Sequence, residues 1–518
     1  MSAATQTPVF LGSLLQGIAS VPDAVALQDI ALTDITLDSR QVIPGGVFLA
    51  CRGEHWHGMD FAADVARRGA AVILFEPENT RIPDLPSNII VAAVPNLAAR
   101  ASLLADRFFA SPSRQLDVIG VTGTNGKTTC AWLLAQALTA CDHPAAYLGT
   151  LGTSFAGHAV AGELTTPDAI TVQRQLAGFA AQGAAAVAME VSSHALAQHR
   201  VAAVHFDAAV FTNLTRDHLD FHRDMQSYGL AKASLFERDD IRLRVFNVDD
   251  SFGAALAARP QFSARITCSS RGHRSGVARH AGVDLAGRFL RAHSIAYSVS
   301  GTRFTLDSSF GNADVETPLI GSFNVDNVLA VMAVLLGSNL SLAKCVAAMR
   351  DLVAPSGRLE TFTAPGMPLV VVDSAHTPDA LQKALEVLRQ HCKGRLSLVF
   401  GCGGDRDSGK RPLMGALAVR LADDVILTDD NPRNESGDGI IGDIRAGMGA
   451  RPITIIRDRE SAIREAVANA RCQDVVLVAG KGHETYQIVG DMRRPFSDQA
   501  VARSALGMMQ NIDPQVSA

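Results

Sequence analysis

The chain has 518 residues, which at roughly 150 per domain implies three domains, with two or four as alternatives. Hydrophobic residues make up 47% and charged residues 19%, enough apolar material for large cores. The formal net charge of −5, from 47 basic and 52 acidic side chains, gives no reason to expect nucleic-acid binding. No apolar run approaches the ~20 residues that span a bilayer, and the first residues lack the basic-then-apolar layout of a secretion signal. The eight cysteines form no CxxC pair, so neither a zinc ribbon nor a disulfide framework is implied. A monomeric chain in the reducing cytoplasm, without membrane insertion, is expected.

From Met1 to about Ala110 the pattern is mixed. Val47–Ala50, 71–75 and 89–94 read as buried strands, and 61–68 as a helix. Asp38, Ser39 and Arg40, followed by Pro44, Gly45 and Gly46, form a polar turn ahead of one strand. Residues 98–109 read as a second helix. Ser111, Pro112 and Ser113 then mark a boundary, giving an N-terminal domain of 1–112.

The chain is organised around residues 118–130. An apolar strand at 117–121 enters a turn of Gly123, Thr124, Asn125 and Gly126, which opens onto Lys127, Thr128, Thr129 and an apolar helix at 131–138. Backbone N–H groups in such a turn wrap a phosphate chain, the lysine reaches the terminal phosphates, and the next hydroxyl binds Mg²⁺. Gly120 to Gly126 carries one residue more than the usual G-x-x-x-x-G-K-[ST] spacing. An ordinary glycine-rich turn is the plainer alternative, but strand, turn, Lys-Thr-Thr and helix all occur in order. ATP with Mg²⁺ is the expected ligand.

Up to Ala354 the alternation of strands and helices implies a mostly parallel sheet, and 113–354 reads as one domain. Ligands on such sheets sit beyond the carboxyl ends of the strands. The strand at 184–189 runs into Glu190, Ser192, Ser193 and His194. The strand at 207–211 runs into Asp217, His218 and His222. Glu190 and His218 are therefore candidate Mg²⁺ partners. His218 and His222, four residues apart, could also be read as half of a zinc site, although no third ligand is in sight. Residues 251–315 read as a less regular insertion with a basic stretch at 265–279, and helical periodicity returns at 324–336.

From Pro355 the rhythm restarts, giving a third domain of 355–518. Strands at 369–372, Leu396–Phe400, 425–427 and 475–478 each end in glycines or charges. Asp405, Arg406, Lys410, Arg411, Asp430, Arg433, Lys481 and Glu484 gather on that rim. Mixed signs suit a zwitterionic ligand, since arginine pairs with carboxylate and carboxylate with ammonium. Ordinary surface ion pairs are the alternative.

Gly123–Thr129, the run Met189-Glu190-Val191-Ser192-Ser193-His194, Thr212 to His218, and Asp373 with His376, Thr377 and Pro378 together resemble the Mur ligases. Phe400 to Arg406, Asp430 to Arg433 and Gly480 to Glu484 resemble those that add the third residue of the peptide. The likeness covers essentially the whole chain, and the lengthened phosphate loop is what this family's loop looks like. It implies a three-domain α/β architecture: a UDP-binding domain, a central parallel-sheet ATP-binding domain and a C-terminal Rossmann-like domain for the amino acid. The implied reaction uses ATP to activate the D-glutamyl carboxylate of UDP-N-acetylmuramoyl-L-alanyl-D-glutamate as an acyl phosphate. An amine of meso-diaminopimelate then attacks, a step in peptidoglycan synthesis and hence in cell shape and division.

The resemblance also implies residue roles. Lys127 would contact the β/γ phosphates, with Thr128, Glu190 and His218 at Mg²⁺. Lys232 matches a lysine carried as a carbamate (N6-carboxylysine), which turns a cation into an anion able to hold metal. Asn324, Asn327, Arg358 and Asp373 match nucleotide-contacting positions, and Ser39 a uridine-contacting one. Thr165, Thr166, Ser192, Gln198 and Arg200 match those holding the muramoyl dipeptide. Arg406, Asp430, Asn431, Arg433, Gly480 and Glu484 match the amino-acid site, where Arg433 would pair with the distal carboxylate that lysine lacks. Ser374 departs from the family's usual tyrosine. A folylpolyglutamate-type ligase, a kinase or ATPase switch, and a non-catalytic precursor-binding protein are the rival readings.

Overall fold

The computed structural model describes residues 8–18, 30–53, 56–262, 264–271 and 287–508. They gather into two compact units, 1–266 and 267–518, so this division falls inside the expected middle domain rather than at 112/113 or 354/355. Most of the basic stretch at 265–279 lies outside the described residues.

Besides a short antiparallel pair of Val9–Phe10 and Ala31–Leu32, the first unit holds two sheets built mainly of parallel strands. Ile35–Thr36, Val47–Ala50, Val72–Phe75 and Ile90–Ala93 pair in chain order, all parallel. Three of these strands carry apolar side chains on both faces, as parallel strands covered on both sides do. Helix Leu97–Phe108 packs Leu97, Leu104 and Phe108 against one face. The other face is covered through Met59, Ala62 and Val65. The helix expected at 61–68 is a 3-10 turn at Gly58–Phe61 followed by Ala62–Arg67. His57 caps the turn by accepting from the Met59 N–H.

In the second sheet, strand Asp117–Thr122 lies between Ala186–Glu190 and Ala208–Phe211, all parallel. Ala145–Gly149 and Leu243–Asn247 extend it in parallel on either side. Gly152–Phe155 and His158–Val160 add an antiparallel edge. Thr122, Gly149, Glu190 and Phe211 thus end side by side, which brings the turns that follow them to one rim.

The second unit corrects the reading of 251–315 as irregular. Its described residues include the strands Arg288–Ser298, Gly301–Ser308 and Ala313–Thr317 in an antiparallel meander. Alternating burial along Gly301–Ser308 is the period-two pattern of a sheet with one wet face. Helix Ser322–Gly337 follows, apolar almost all round and buried accordingly.

A six-stranded sheet runs Glu360–Phe362, Leu369–Asp373, Val475–Ala479, Leu396–Phe400, Asp424–Leu427, Thr454–Ile455. Only its first strand is antiparallel. Helices Pro378–His391, Lys410–Leu421 and Gly437–Ala446 cover one face, and Arg459–Asn469 and Asp498–Ala505 the other. His391 ties the meander to this sheet. Its Nε2 accepts from the Gly321 N–H at 2.8 Å, and its Nδ1 lies 2.7 Å from the Ser298 carbonyl. The ring is neutral with its proton on Nδ1, and burial holds its pKa down.

Candidate functional site

The glycine-rich turn follows from its sequence. Gly123 has φ 149°, and a Cβ there would meet Thr212 Oγ1 at 1.9 Å, so only glycine fits. The turn is braced from the neighbouring strand end: Thr212 Oγ1 donates to the Asn125 carbonyl at 2.6 Å, and Asn213 Oδ1 accepts from the Asn125 N–H at 2.9 Å. Gly126 then starts helix Lys127–Ala140. Lys127 Nζ donates to the Gly123 and Thr124 carbonyls at 3.0 and 2.9 Å, folded back over its own loop.

Glu190 is fully buried at the end of its strand. Its Oε1 accepts from Tyr147 OH at 2.6 Å and from the Thr150 N–H at 2.8 Å. Its Oε2 accepts from Thr128 Oγ1 at 2.8 Å and Thr150 Oγ1 at 3.2 Å. Thr150 Oγ1 in turn lies 3.0 Å from Thr165 Oγ1, which can donate to it. A carboxylate thus sits against the first-turn hydroxyl of helix Lys127–Ala140. Tyr147 and Thr150 belong to this cluster although neither stands in a phosphate-loop motif; only the pairing of their strand with that of Glu190 brings them in.

Lys232 is 1% exposed in helix Met225–Phe236. Its Nζ donates to the Gly123 carbonyl at 2.8 Å and lies 4.5 Å from the centre of the Tyr228 ring. Burial, then the nearby Lys127 charge, pushes its pKa down to about 6. Tyr228 and Thr124 are hydrogen-bonded at 3.1 Å, which locks this helix to the loop.

His218 has φ 52°, which turns the chain into the single helical turn Leu219–His222. Its ring lies 4.8 Å from that of His194, and His222 lies 5.5 Å from His194. His222 does not pair with His218 as a ligand would: its Nε2 is hydrogen-bonded to Ser193 Oγ at 2.9 Å. Burial lowers the pKa of His194 and of His222. Among the described residues no three His, Cys, Asp or Glu side chains gather as a metal site. The dipeptide candidates lie beside Glu190. Thr166 Oγ1 donates to the Glu190 carbonyl at 2.8 Å and accepts from the Ser192 N–H at 3.0 Å. Arg200 donates to the Thr166 carbonyl and to Gln198 Oε1 at 2.8 and 2.5 Å. Ser39 sits half-exposed in a 3-10 turn capped by Asp38, which also pairs with Arg40.

In the second unit Asp373 accepts from the N–H groups of Leu359 and Ala375 at 2.8 and 2.9 Å, and burial raises its pKa. Asn327 Nδ2 donates to Asn324 Oδ1 at 2.9 Å, and Asn324 to the Ile320 carbonyl at 2.7 Å. At the neighbouring strand ends, Asn431 Nδ2 donates to Glu484 Oε2 at 2.8 Å. Lys481, 2% exposed, donates to Asn431 Oδ1 and Glu484 Oε2 at 3.0 and 3.1 Å. Arg433, at φ 52°, donates to the Gly404 carbonyl at 2.7 Å.

Two members of the expected rim do other work. Arg411 is buried, not rim-facing: its guanidinium donates to Glu435 at 2.8 Å and Asp443 at 2.9 Å. Asp405 accepts from Asn434 Nδ2 at 3.0 Å and so ties its loop to the one after strand Asp424–Leu427. Their positions beside glycines made them look like site residues, but loop packing accounts for both. Ser374 leaves room for a close backbone: a Cβ on Gly482 would meet the Ser374 Cβ at 2.5 Å.

Comparison with known proteins agrees along the whole chain. Residues 32–106 match the Mur ligase family catalytic domain, 121–335 the Mur ligase middle domain, and 357–482 the Mur ligase glutamate ligase domain. The UDP-N-acetylmuramoyl-L-alanyl-D-glutamate–2,6-diaminopimelate ligase of Pseudomonas aeruginosa is 47% identical over 93% of this chain and 96% of its own. Its counterpart in Alkalilimnicola ehrlichii is 45% identical over 96% and 98%. A solved ligase of the same name superposes with a TM-score of 0.74 at 31% identity, covering 97% of this chain and 99% of that one. The Mycobacterium tuberculosis folylpolyglutamate synthase complexed with ADP shares the fold, with a TM-score of 0.55 at 17% identity over 74% of this chain and 91% of its own. With near-full-length identity of this order, the chain belongs to the Mur ligase family.

Proposed function

We propose that this protein is an ATP-dependent ligase that joins meso-2,6-diaminopimelate to UDP-N-acetylmuramoyl-L-alanyl-D-glutamate in cytoplasmic peptidoglycan synthesis. The observation that carries this reading is the 45–48% identity, over 93–96% of the chain, to ligases of that name. Three functional domains, 1–112 for UDP, 113–354 for ATP and 355–518 for the amino acid, accord with the three matched segments.

In this reading the N–H groups of Gly123–Thr129 cradle the phosphates of ATP, and Lys127 turns from its loop carbonyls toward them. Asn324, Asn327, Arg358 and Asp373 serve the nucleotide, Ser39 the uridine, and Thr165, Thr166, Ser192, Gln198 and Arg200 the dipeptide. The glutamyl carboxylate takes the γ-phosphoryl group: a carboxyl O–P bond forms, the bond to the β-phosphate breaks, and ADP leaves. The amine then attacks the acyl carbon, a C–N bond forms, phosphate departs, and the ammonium loses its proton.

The donor set suits Mg²⁺. Thr128 and Glu190 offer oxygens 2.8 Å apart, as a hard cation prefers. Lys232, held neutral above about pH 6, is in the form that adds to CO₂, losing a proton to become an anionic carbamate. Thr128, Glu190, His218 and carbamylated Lys232 would hold the ion, whose charge would offset the repulsion between carboxylate and γ-phosphate. Arg406, Asp430, Asn431, Arg433, Gly480 and Glu484 would hold the zwitterionic amino acid. ADP release tests the reading: it should require both the UDP-linked dipeptide and meso-diaminopimelate. Release with ATP alone would mark an ATPase instead.

A further inference from the structure

Arg459 opens helix Arg459–Asn469 and is 1% exposed. Its Nε and Nη2 donate to the two oxygens of Asp498 at 2.7 and 2.8 Å, and Nη2 also donates to the Ala479 carbonyl at 3.0 Å. Both side chains of this pair are completely buried, and Nη1 has no hydrogen-bond partner. Hydrophobic residues of similar volume often replace such a pair without loss of stability, so stability gives little reason for it.

Its position supplies one. Ala479 ends the strand directly before Gly480, and a Cβ on Gly480 would meet Asp430 Oδ2 at 2.4 Å. Asp430 is 7% exposed, and no donor among the described residues is hydrogen-bonded to its carboxylate. A buried carboxylate with no donor is costly unless a cation lies near it or a ligand completes it.

We infer that Arg459 is a positioning residue of the amino-acid site: braced on Asp498 and Ala479, its charge holds Asp430 as the anion that receives the substrate's ammonium group. This rests on the ligase reading above. Burial raises the pKa of Asp430; Arg459 and then Lys481 oppose that, while Glu484 and Asp498 add to it, and Cys402 is a further titratable neighbour. Of the cations near Asp430, Arg459 is the one that most opposes this rise. Removing it should move protonation of Asp430 to higher pH. Removing the opposing Asp498 charge should move it to lower pH.

The test compares wild type, Arg459→Lys, Asp498→Asn and the paired Arg459→Met/Asp498→Leu variant by ADP release, with folding checked by thermal unfolding. In the paired variant the KM for meso-diaminopimelate should rise about tenfold at neutral pH, the loss of one charge-assisted contact. Its acid limb of kcat/KM should move up in pH, with the KM for ATP unchanged. Arg459→Lys should largely restore the amino-acid KM, and Asp498→Asn should shift the acid limb the opposite way. A folded paired variant with a wild-type amino-acid KM and pH profile would overturn the assignment. So would equal rises in both KM values, or an Asp498→Asn limb displaced upward. If the paired variant does not fold, Asp498→Asn decides: a limb moved down in pH supports the assignment, and an unmoved limb overturns it. Wild-type ADP release that ignores the amino acid would overturn the ligase reading and this inference together.

Discussion

Lys232 Nζ and Lys127 Nζ donate to the same acceptor, the Gly123 carbonyl oxygen, at 2.8 and 3.0 Å. Two amines on one carbonyl cannot both hold a proton cheaply. Lys232 is also deeply buried, and its pKa is pushed down to about 6.

This pairing fixes the sign of a stability effect. In CO₂-free buffer the unfolded lysine titrates near its ordinary value of 10.5 and the folded one near 6. Between these values the unfolded chain binds more protons, so stability rises with pH across that window. Lys232→Met removes the buried amine. Its thermal midpoint should exceed that of wild type most at pH 6, and the difference should shrink toward pH 10. A difference that is constant with pH in thermal unfolding would contradict the depressed pKa.

Lys232→Ala should lose most ligase activity, because no carbamate can form there. Small carboxylates such as acetate should restore part of it by supplying the missing anion. Steady-state ADP release with and without added carboxylate reads this directly, and near wild-type activity in the variant would refute the role.

Glu190→Gln keeps the size of the side chain but removes its charge, and it turns one of two acceptors into a donor facing Thr128 or Tyr147. With an electrostatic contribution of this kind gone, kcat should fall by about 10²-fold or more, while the KM for meso-diaminopimelate stays near wild type. A change confined to KM would place Glu190 outside the phosphoryl-transfer site.

Arg433 is expected to discriminate. Wild type should turn over meso-diaminopimelate far faster than L-lysine. Arg433→Ala should lose roughly 2–4 kcal/mol of that preference, since a guanidinium–carboxylate pair is what separates the two amino acids. Comparable kcat/KM for both amino acids in wild type would remove Arg433 from this role.

Arg411→Met should act on stability instead. Its carboxylate partners Glu435 and Asp443 are partly exposed and can turn to water, so a loss of about 1–3 kcal/mol is expected in denaturant unfolding. The KM values of the folded fraction should stay unchanged.

Local pattern alone made much of this molecule readable. Strand Leu396–Phe400 and the turn at Gly123–Thr129 stand where apolar runs and glycines put them, because strand burial and left-handed turns are written in neighbouring residues. The resemblance of several motifs in fixed order identified Lys232, whose burial no local pattern shows. The meander at Arg288–Thr317 was not legible, since its alternation is short and broken by turns. Nor was the buried work of Arg411, which looked like a rim cation beside a glycine-rich loop.

The sequence by itself determined the family, the glycine-rich turn and the order of the strand ends, because these depend on residue types at close spacing. Tertiary structure alone decided which side chains meet. Strand pairing brings Tyr147 and Thr150 onto Glu190, helix packing sets Lys232 against Gly123, and Arg459 lies beneath the strand end that carries Gly480. Those contacts join residues tens of positions apart, and the protonation of Lys232 and Asp430 follows from the low-dielectric surroundings that only the packed fold creates.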